Sequence, residues 1–314
     1  MDEIGSKTST RIGILPLPGF ALLSYASLIE PLRAANLLSR RKLYDVVNIG
    51  DARSSGGMAG PMDAKIGSQI DLDYLFVVAG GDPLNYNNKK IFNWLSQQAR
   101  KGVVLGGVSG GPVILAKAGL MDGRRMTVHW EHGPALSEAF PSLLIERSLY
   151  VVDRDRITCA GGTAPLDMIY ALIAQDYGAV FAQLVNDWFL HTEVRPSGGP
   201  QRGGLVERVG TTSRPVLAAV EAMESHVADP LNLKQLAAIA EVSVRQLTRL
   251  FEGKLKMSPM AYYRGLRLDV AERMAVGSSL SLTEIALAAG FANSAHFSKA
   301  FSDRFGFPPS QLRR

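Results

Sequence analysis

Short runs of consecutive apolar residues alternate with amphipathic stretches over the first two thirds of the chain, and helical spacing alone fills the last third. Residues 12–15 (Ile-Gly-Ile-Leu), 44–50, 74–79 (Tyr-Leu-Phe-Val-Val-Ala) and 103–108 (Val-Val-Leu-Gly-Gly-Val) read as strands, and 150–160 reads as a β-hairpin turning at Asp153, Arg154 and Asp155. Between them, 24–39, 89–101 and 164–178 carry helical spacing. Strands that are apolar at every position are buried on both faces, so the interleaved helices must cover a mostly parallel sheet on both sides. The expected fold class is α/β, a doubly wound mostly parallel sheet, followed by an all-α domain. The pattern stops near Arg195, where 195–210 is rich in Gly, Pro and charge with little apolar periodicity. That composition marks a linker. The expected division is a tail at 1–10, an α/β domain at 11–194, a linker at 195–213 and a helical domain at 214–314.

The helical part contains an internal repeat. Residues 233–242 (Leu-Lys-Gln-Leu-Ala-Ala-Ile-Ala-Glu-Val) match 282–291 (Leu-Thr-Glu-Ile-Ala-Leu-Ala-Ala-Gly-Phe) at an offset of 49, and Leu247, Leu250 and Phe251 match Phe297, Ala300 and Phe301 at an offset of 50. Each copy reads as helix, short turn, helix. Asn232 with Gln235, Ser243 with Gln246, and Ser281 with Glu284 have capping-box spacing, which writes three of the four helix starts into the sequence. Gly290 suits the left-handed stop of its helix. Ala237 and Ala286 allow the two helices of each copy to cross closely.

Composition locates the charge. The 314 residues carry 34 Lys+Arg and 29 Asp+Glu, a net of +5. From Thr211 onward there are 13 basic and 9 acidic residues, so +4 of the +5 lies in the repeat-bearing part. A basic excess confined to one module favours a polyphosphate partner. With 46% hydrophobic and 20% charged residues the chain is globular, which excludes disordered, collagen-like and coiled-coil classes. A single Cys159 excludes an internal disulfide framework. Residues 1–10 hold no apolar run of signal-peptide type, so a cytoplasmic location is expected. Residues 12–29 run 18 positions without a charge, but Pro16, Pro18 and Gly19 would break a spanning helix, and a strand, loop and helix explain them better. No membrane partner is expected.

Leu247, Leu250 and Phe251 form an apolar stripe, which turns Arg245, Thr248, Arg249 and Glu252 outward; in the second copy Ala295, His296, Ser298, Lys299 and Ser302 face outward. Long donors beside short hydroxyls and methyls are what reading base edges in a major groove requires. A solvated helix face is the plainer reading of either copy alone. Two copies joined by an amphipathic connector at 259–274 favour recognition helices held about one DNA turn, ~34 Å, apart. Residues 215–314 resemble the AraC/XylS family of transcription regulators. The resemblance is carried by 236–251, Ser258-Pro259, Gly290-Phe291, His296-Phe297-Ser298 and 305–309. It implies a double-stranded DNA operator as partner, with RNA polymerase a further candidate. It places Arg245, Thr248, Arg249, Ala295, Ser298 and Lys299 at groove-facing positions, with Ser243, Gln246, Ser294 and His296 beside them. Ala295 offers only a methyl, so the second copy is expected to read bases more weakly.

In the first domain, Gly106-Gly107-Val108-Ser109-Gly110-Gly111-Pro112 ends a strand and opens a helix. A side chain on such a sharp, Gly-flanked turn is exposed above a parallel sheet, and amides at the helix start suit an anion. Residues 11–190 resemble the PfpI-like class I glutamine amidotransferase-like domains, in particular the non-catalytic forms fused in front of AraC-type modules. Leu17-Pro18-Gly19-Phe20, Glu30 to Asn36, Val78 to Asp82, Ala118 to Arg125 and Thr127 to Trp130 carry this. In the enzymatic relatives the elbow residue is Cys; here it is Ser109, with Ser24 where some relatives have a carboxylate. Ser needs a placed base to become a nucleophile. His129, oriented by Glu131 or Asp167, would be that base in the alternative reading, a Ser109-dependent hydrolase or amidase. The favoured reading is a small-molecule effector site, with no catalytic residue and no cofactor, built from Phe20, Gly80, Gly81, Ser109, Gly110, His129, Trp130, Glu131 and Thr163 at the carboxyl ends of the strands. Amides and Ser109 suit a carboxylate, whereas Trp130, Phe20 and Glu131 suit a cationic nitrogen; Trp130 as a core residue is the alternative. Similar fusions regulate betaine, carnitine and arginine catabolism, which implies a nitrogenous or zwitterionic effector. His129, His132 and Glu131 are too few for a metal site. A homodimer formed through the first domain and a role as activator complete the expectation.

Overall fold

The computed structural model describes residues 9–58, 62–277 and 280–313, and divides into two compact units between Gln201 and Arg202. Most of the expected amino-terminal tail lies outside the described residues.

The first unit runs β1 (Thr10–Pro16), α1 (Leu22–Ser39), β2 (Tyr44–Asn48), β3 (Tyr74–Ala79), α2 (Lys89–Arg100), β4 (Val104–Ser109), α3 (Gly111–Lys117), β5 (Arg125–Met126), α4 (Gly133–Ala139), β6 (Leu144–Ile145), β7 (Tyr150–Asp153), β8 (Arg156–Cys159), α5 (Ala164–Tyr177) and α6 (Ala179–Trp188). Six strands form one sheet in the order β2-β1-β3-β4-β8-β7, parallel except for the antiparallel β7–β8 hairpin. Its continuous apolar strands are explained by two cores. Ile12, Ile14, Phe76, Val78 and Val108 face one core with α1, α5 and α6. Leu15, Leu75, Val77 and Leu105 face the other with α2 and α3. Successive side chains of a strand point to opposite faces, so a sheet covered on both sides needs apolar residues at both parities. The helices α4 and α6 and the short β5–β6 pair are additions to the elements expected from the sequence.

The second unit holds α7 (Leu205–Val209), α8 (Arg214–Ser225), α9 (Leu233–Ile239), α10 (Val244–Leu255), α11 (Pro259–Gly277), α12 (Leu282–Ala288) and α13 (Ser294–Phe305), closed by a 3₁₀ turn at Pro309–Arg313. Two cores fill it. Val216, Val220, Met223, Leu236, Leu247 and Phe251 pack in the first, and Leu268, Ala271, Met274, Ile285, Phe297 and Phe301 in the second. The connector α11 serves both, sending Tyr263 into the first and Leu268 to Ala275 into the second. Its 19 residues span about 28 Å.

The Gly- and Pro-rich segment expected as a linker is bonded at both ends. Arg195 donates to Asp167, Leu149 N–H donates to the Ser197 carbonyl at 2.8 Å, and Gln201 Nε2 donates to Thr127 Oγ1 and the Val128 and Ser148 carbonyls. Further on, α7 carries Arg208, whose guanidinium grips Glu224 of α8 at 2.5 and 3.1 Å.

Candidate nucleic-acid interface and effector site

The turns of the two repeats are built alike. Val242 N–H donates to the Ala237 carbonyl and Glu241 N–H to Ala238; in the second copy Phe291 donates to Ala286 and Gly290 to Leu287. These are the paired bonds of a Schellman stop, which requires a left-handed residue. Gly290 supplies it with φ +73°, whereas Glu241 supplies it with φ 54° despite its Cβ. The capping boxes at Asn232 and Ser281 are reciprocal. At Ser243 only half the box forms, with Oγ accepting from Gln246 N–H, because the Gln246 side chain does not return to the cap. The fourth helix start, unread in the sequence, is capped by Asn293 through His296 N–H at 2.8 Å. Ser243 and Asn293 are equivalent at an offset of 50, so the extra residue of the second turn is Ala292.

The recognition helices are α10 and α13. Residues 245–251 and 295–301 share one burial pattern position by position. Leu247, Phe251, Phe297 and Phe301 are fully buried. Arg245, Gln246, Arg249, Ala295, His296 and Lys299 are exposed, and Thr248 and Ser298 are half-buried. Thr248 Oγ1 donates back to the Val244 carbonyl at 2.9 Å, which fixes its rotamer. Among the described residues no carboxylate pairs with Arg245, Arg249 or Lys299. Ser294 opens α13 on the exposed side.

Two contacts fix the second repeat on α11, one at its turn and one at its recognition helix, and neither left a spacing signal in the sequence. Arg267 donates to the Ala289 carbonyl at 2.8 Å and the Gly290 carbonyl at 2.6 Å while its guanidinium lies 4.4 Å from the Phe291 ring centre. Arg304 of α13 grips Asp269 of α11 through both carboxylate oxygens at 2.6 and 2.8 Å. Such bidentate pairs fix geometry as well as distance. A cleft of about 650 Å³ between α11 and α13 is lined by Arg264, Leu268, His296, Lys299 and Asp303.

In the first unit Ser109 is the last residue of β4 and has φ 61° at 6% exposure. The strained elbow read in the sequence is present. Gly111 makes it possible: a Cβ there would sit 2.0 Å from the Val77 carbonyl oxygen. The carboxyl ends of β1, β3, β4 and β8 converge around it. A Cβ on Gly161 would lie 2.7 Å from Ser109 Cβ and 2.8 Å from Ser24 Oγ, one on Gly80 would lie 2.7 Å from the Gly19 carbonyl, and one on Gly110 would lie 3.0 Å from Pro83 Cγ. Ser24 Oγ accepts from Gly162 N–H at 2.7 Å. His129 N–H reaches the Ser109 carbonyl at 3.3 Å, which carries His129 and Trp130 to the elbow. Trp130 is half-buried and tilts against His129 at 5.3 Å, while Glu131 and Thr163 are exposed. Gly81 is exposed at the end of β3. Phe20 is fully buried, its ring 5.2 Å from Tyr25, so it supports the loop from within the core.

The groups of the hydrolase alternative are not assembled into a relay. Among the described residues Ser109 Oγ has no hydrogen-bond partner. Burial pushes the His129 imidazole down in pKa, with Glu131 opposing, and Nδ1 accepts from Glu131 N–H at 3.4 Å. Asp167, considered as an orienter of His129, is fully buried and committed elsewhere. It takes Arg195 N–H at 2.8 Å, the Arg195 guanidinium at 2.6 and 3.0 Å, and His191 Nε2 at 3.0 Å. Arg195 also reaches Thr163 Oγ1 at 3.0 Å. Cys159 is buried on β8 opposite Val108, and burial pushes its thiol up to about 12. Among the described residues no three His, Cys, Asp or Glu side chains gather as a metal site, and no helix is long and apolar enough to cross a membrane.

A doubly wound α/β unit with a Ser elbow, joined to paired helix-turn-helix motifs presenting exposed cations, defines a two-unit DNA-binding transcription regulator. The comparisons agree: residues 236–314 match the helix-turn-helix domain model and residues 20–175 the DJ-1/PfpI family model. The chain belongs to the AraC-type helix-turn-helix transcriptional regulators that carry a DJ-1/PfpI domain. It is similar to the HTH-type transcriptional regulator GlxA of Rhizobium meliloti (strain 1021), 44% identical over 315 residues, covering 98% of this chain and 97% of the relative. The HTH-type transcriptional regulator CdhR of Pseudomonas aeruginosa is 39% identical over 303 residues, 95% of this chain and 90% of its own. Among solved structures, an AraC family transcriptional regulator from Pseudomonas putida aligns with TM-score 0.51 at 26% identity, covering 57% of this chain and 99% of that one.

Proposed function

We propose that the protein is a ligand-responsive activator that binds a double-stranded operator through α10 and α13 and takes a small nitrogenous or zwitterionic metabolite at the Ser109 elbow, without turning it over. The observation that carries the DNA reading is the shared burial pattern of the two exposed faces, which present Arg245 and Arg249 on one and Lys299 on the other with no carboxylate partner among the described residues. Arg245, Arg249 and Lys299 reach bases or phosphates, with Ser243, Gln246, Thr248, Ser294, Ala295, His296 and Ser298 filling the two faces. The double variant Arg245→Ala/Arg249→Ala loses specific operator binding in fluorescence anisotropy and flattens the salt dependence by about two phosphate equivalents if both contact the backbone. Unchanged operator affinity would overturn the assignment.

At the elbow, Ser109 Oγ and the Gly80 and Gly81 amides suit a carboxylate, whereas the Gly110 amide is taken by the Ala79 carbonyl at 2.9 Å, and Trp130 with Glu131 suits a cationic nitrogen. Supporting the absence of turnover are the uncommitted Ser109 Oγ and the commitment of Asp167 to Arg195 and His191. The relatives are named as regulators. Ser109→Ala separates the two readings: loss of effector-induced thermal stabilisation without wild-type turnover supports a sensor, and loss of a wild-type hydrolytic activity supports the enzyme. In this reading the regulator works in the cytoplasm as a homodimer paired through its first unit and engages RNA polymerase when bound to effector.

A further inference from the structure

The helix α6 closes the first unit, and it is apolar on both faces. Ala182 and Val185 are fully buried against the core shared with α1 and α5. On the other side Val180, Leu184 and Trp188 recur every four residues at 82%, 54% and 51% exposure, and Leu190 follows at 87%. Leu190 is held at φ 57°, a left-handed conformation unfavourable for an L-residue, and here presents an aliphatic side chain to solvent. Asp187 is the one ionisable residue between Ala179 and Leu190. An apolar stripe on the side of a helix that faces away from its own core is a surface that another body can cover. Charge depletion with a central Trp is the composition of an interface core.

Asp187 borders the stripe and is bonded by Gln183 Nε2 at 2.9 Å, so the side chains left for a partner are the apolar ones, and a second copy supplies a like apolar surface. The area meets what such a pair needs. The four exposed side chains present on the order of 500 Å², the upper end for a monomer's largest apolar patch. Paired with its own copy about a two-fold axis, the stripe buries on the order of 1000 Å² before any flanking residue is counted, which reaches the threshold of a specific interface. We propose that the outer face of α6, with Val180, Leu184, Trp188 and Leu190, is the seam at which two copies of this chain pair. This rests on the homodimer reading above and names the surface that reading leaves open.

The test is sedimentation velocity of the full-length protein at micromolar concentration, comparing wild type with Leu184→Glu, Leu184→Ala and Leu144→Glu. Leu144 is 51% exposed on β6, away from α6, and serves as the control. The expected result is a dimeric wild type, a Leu184→Glu protein whose dimer dissociates at a concentration about a hundredfold higher or more, a smaller loss for Leu184→Ala, and no change for Leu144→Glu. The wild type supplies a readout independent of any variant's folding. Of the three tryptophans Trp94 is buried, so acrylamide quenching should rise on dilution as Trp188 is uncovered. A monomeric wild type overturns the homodimer reading itself. A dimer that survives Leu184→Glu, breaks equally with Leu144→Glu, or shows no change in quenching on dissociation overturns the α6 seam and leaves the homodimer reading standing.

Discussion

Gly290→Ala is expected to destabilise the carboxyl-terminal unit severely while leaving the α/β unit as it is. Gly290 has φ +73°, and a Cβ there would lie 2.4 Å from the Val227 carbonyl oxygen, 2.6 Å from Pro230 Cγ and 2.9 Å from Pro230 Cδ. The left-handed conformation costs Ala roughly 1–2 kcal/mol. Forcing a methyl against a backbone oxygen and a rigid ring adds about 1–3 kcal/mol, since neither neighbour yields as a flexible side chain would. The sum, about 2–5 kcal/mol, is a large share of the 5–15 kcal/mol that holds a typical domain together. For a unit of this size it lowers the thermal midpoint by roughly 10 °C or more. The three tryptophans, Trp94, Trp130 and Trp188, all lie in the first unit, so urea unfolding followed by fluorescence reports that unit, while far-UV circular dichroism also follows the helical second unit. The variant should shift the second signal and not the first. Glu241→Gly is the companion measurement: the strain of φ 54° is relieved against a glycine entropy cost of about 0.5–1 kcal/mol, so stability should change by less than about 1 kcal/mol. A Gly290→Ala protein that unfolds within about 1 kcal/mol of wild type would refute the claim that the second turn tolerates only glycine.

Two further outcomes follow from buried polar groups in the first unit. Burial and the neighbouring His129 push the His132 imidazole down from 6.5 to about 4. Because the folded value lies below the unfolded one, the stability contribution is complete above about pH 6.5 and is lost as pH falls toward about 4, by on the order of 3 kcal/mol. Thermal melts across that range should show a shallower acid slope for His132→Gln than for wild type, and parallel slopes would contradict the assignment. Arg195→Ala leaves the fully buried Asp167 without its bidentate cation and should cost about 3 kcal/mol in tryptophan-monitored urea unfolding, since an uncompensated buried carboxylate bears most of the penalty. A loss under about 1 kcal/mol would mean that His191 and the Arg195 amide suffice.

How much could be read from the sequence depended on whether a feature is local. Strands at 12–15, 74–79 and 103–108, the hairpin at 150–160 and both helix-turn-helix copies were legible because apolar period, caps and turn residues are written within a few positions of one another. The elbow at Ser109 was legible for the same reason, its glycines adjoining it in the chain. The α6 helix was missed because its spacing serves two faces, so no single stripe stands out over 179–188. The half-formed box at Ser243 shows the limit of spacing, which permits a reciprocal bond that the Gln246 side chain does not make.

By itself, then, the sequence determined the two-unit division of labour, the parallel sheet, the repeat and the exposed cations of its second helices, all set by short-range period and composition. Tertiary structure decided what partners across the chain would do. It gave Asp167 to Arg195 and His191 rather than to His129, sank Phe20 into the core, set Arg267 on the carbonyls of Ala289 and Gly290, and left Val180, Leu184 and Trp188 uncovered. The physical reason is that a buried charge or an apolar face takes its meaning from whichever group the fold brings within a few ångströms, and that group lies tens of residues away in the chain.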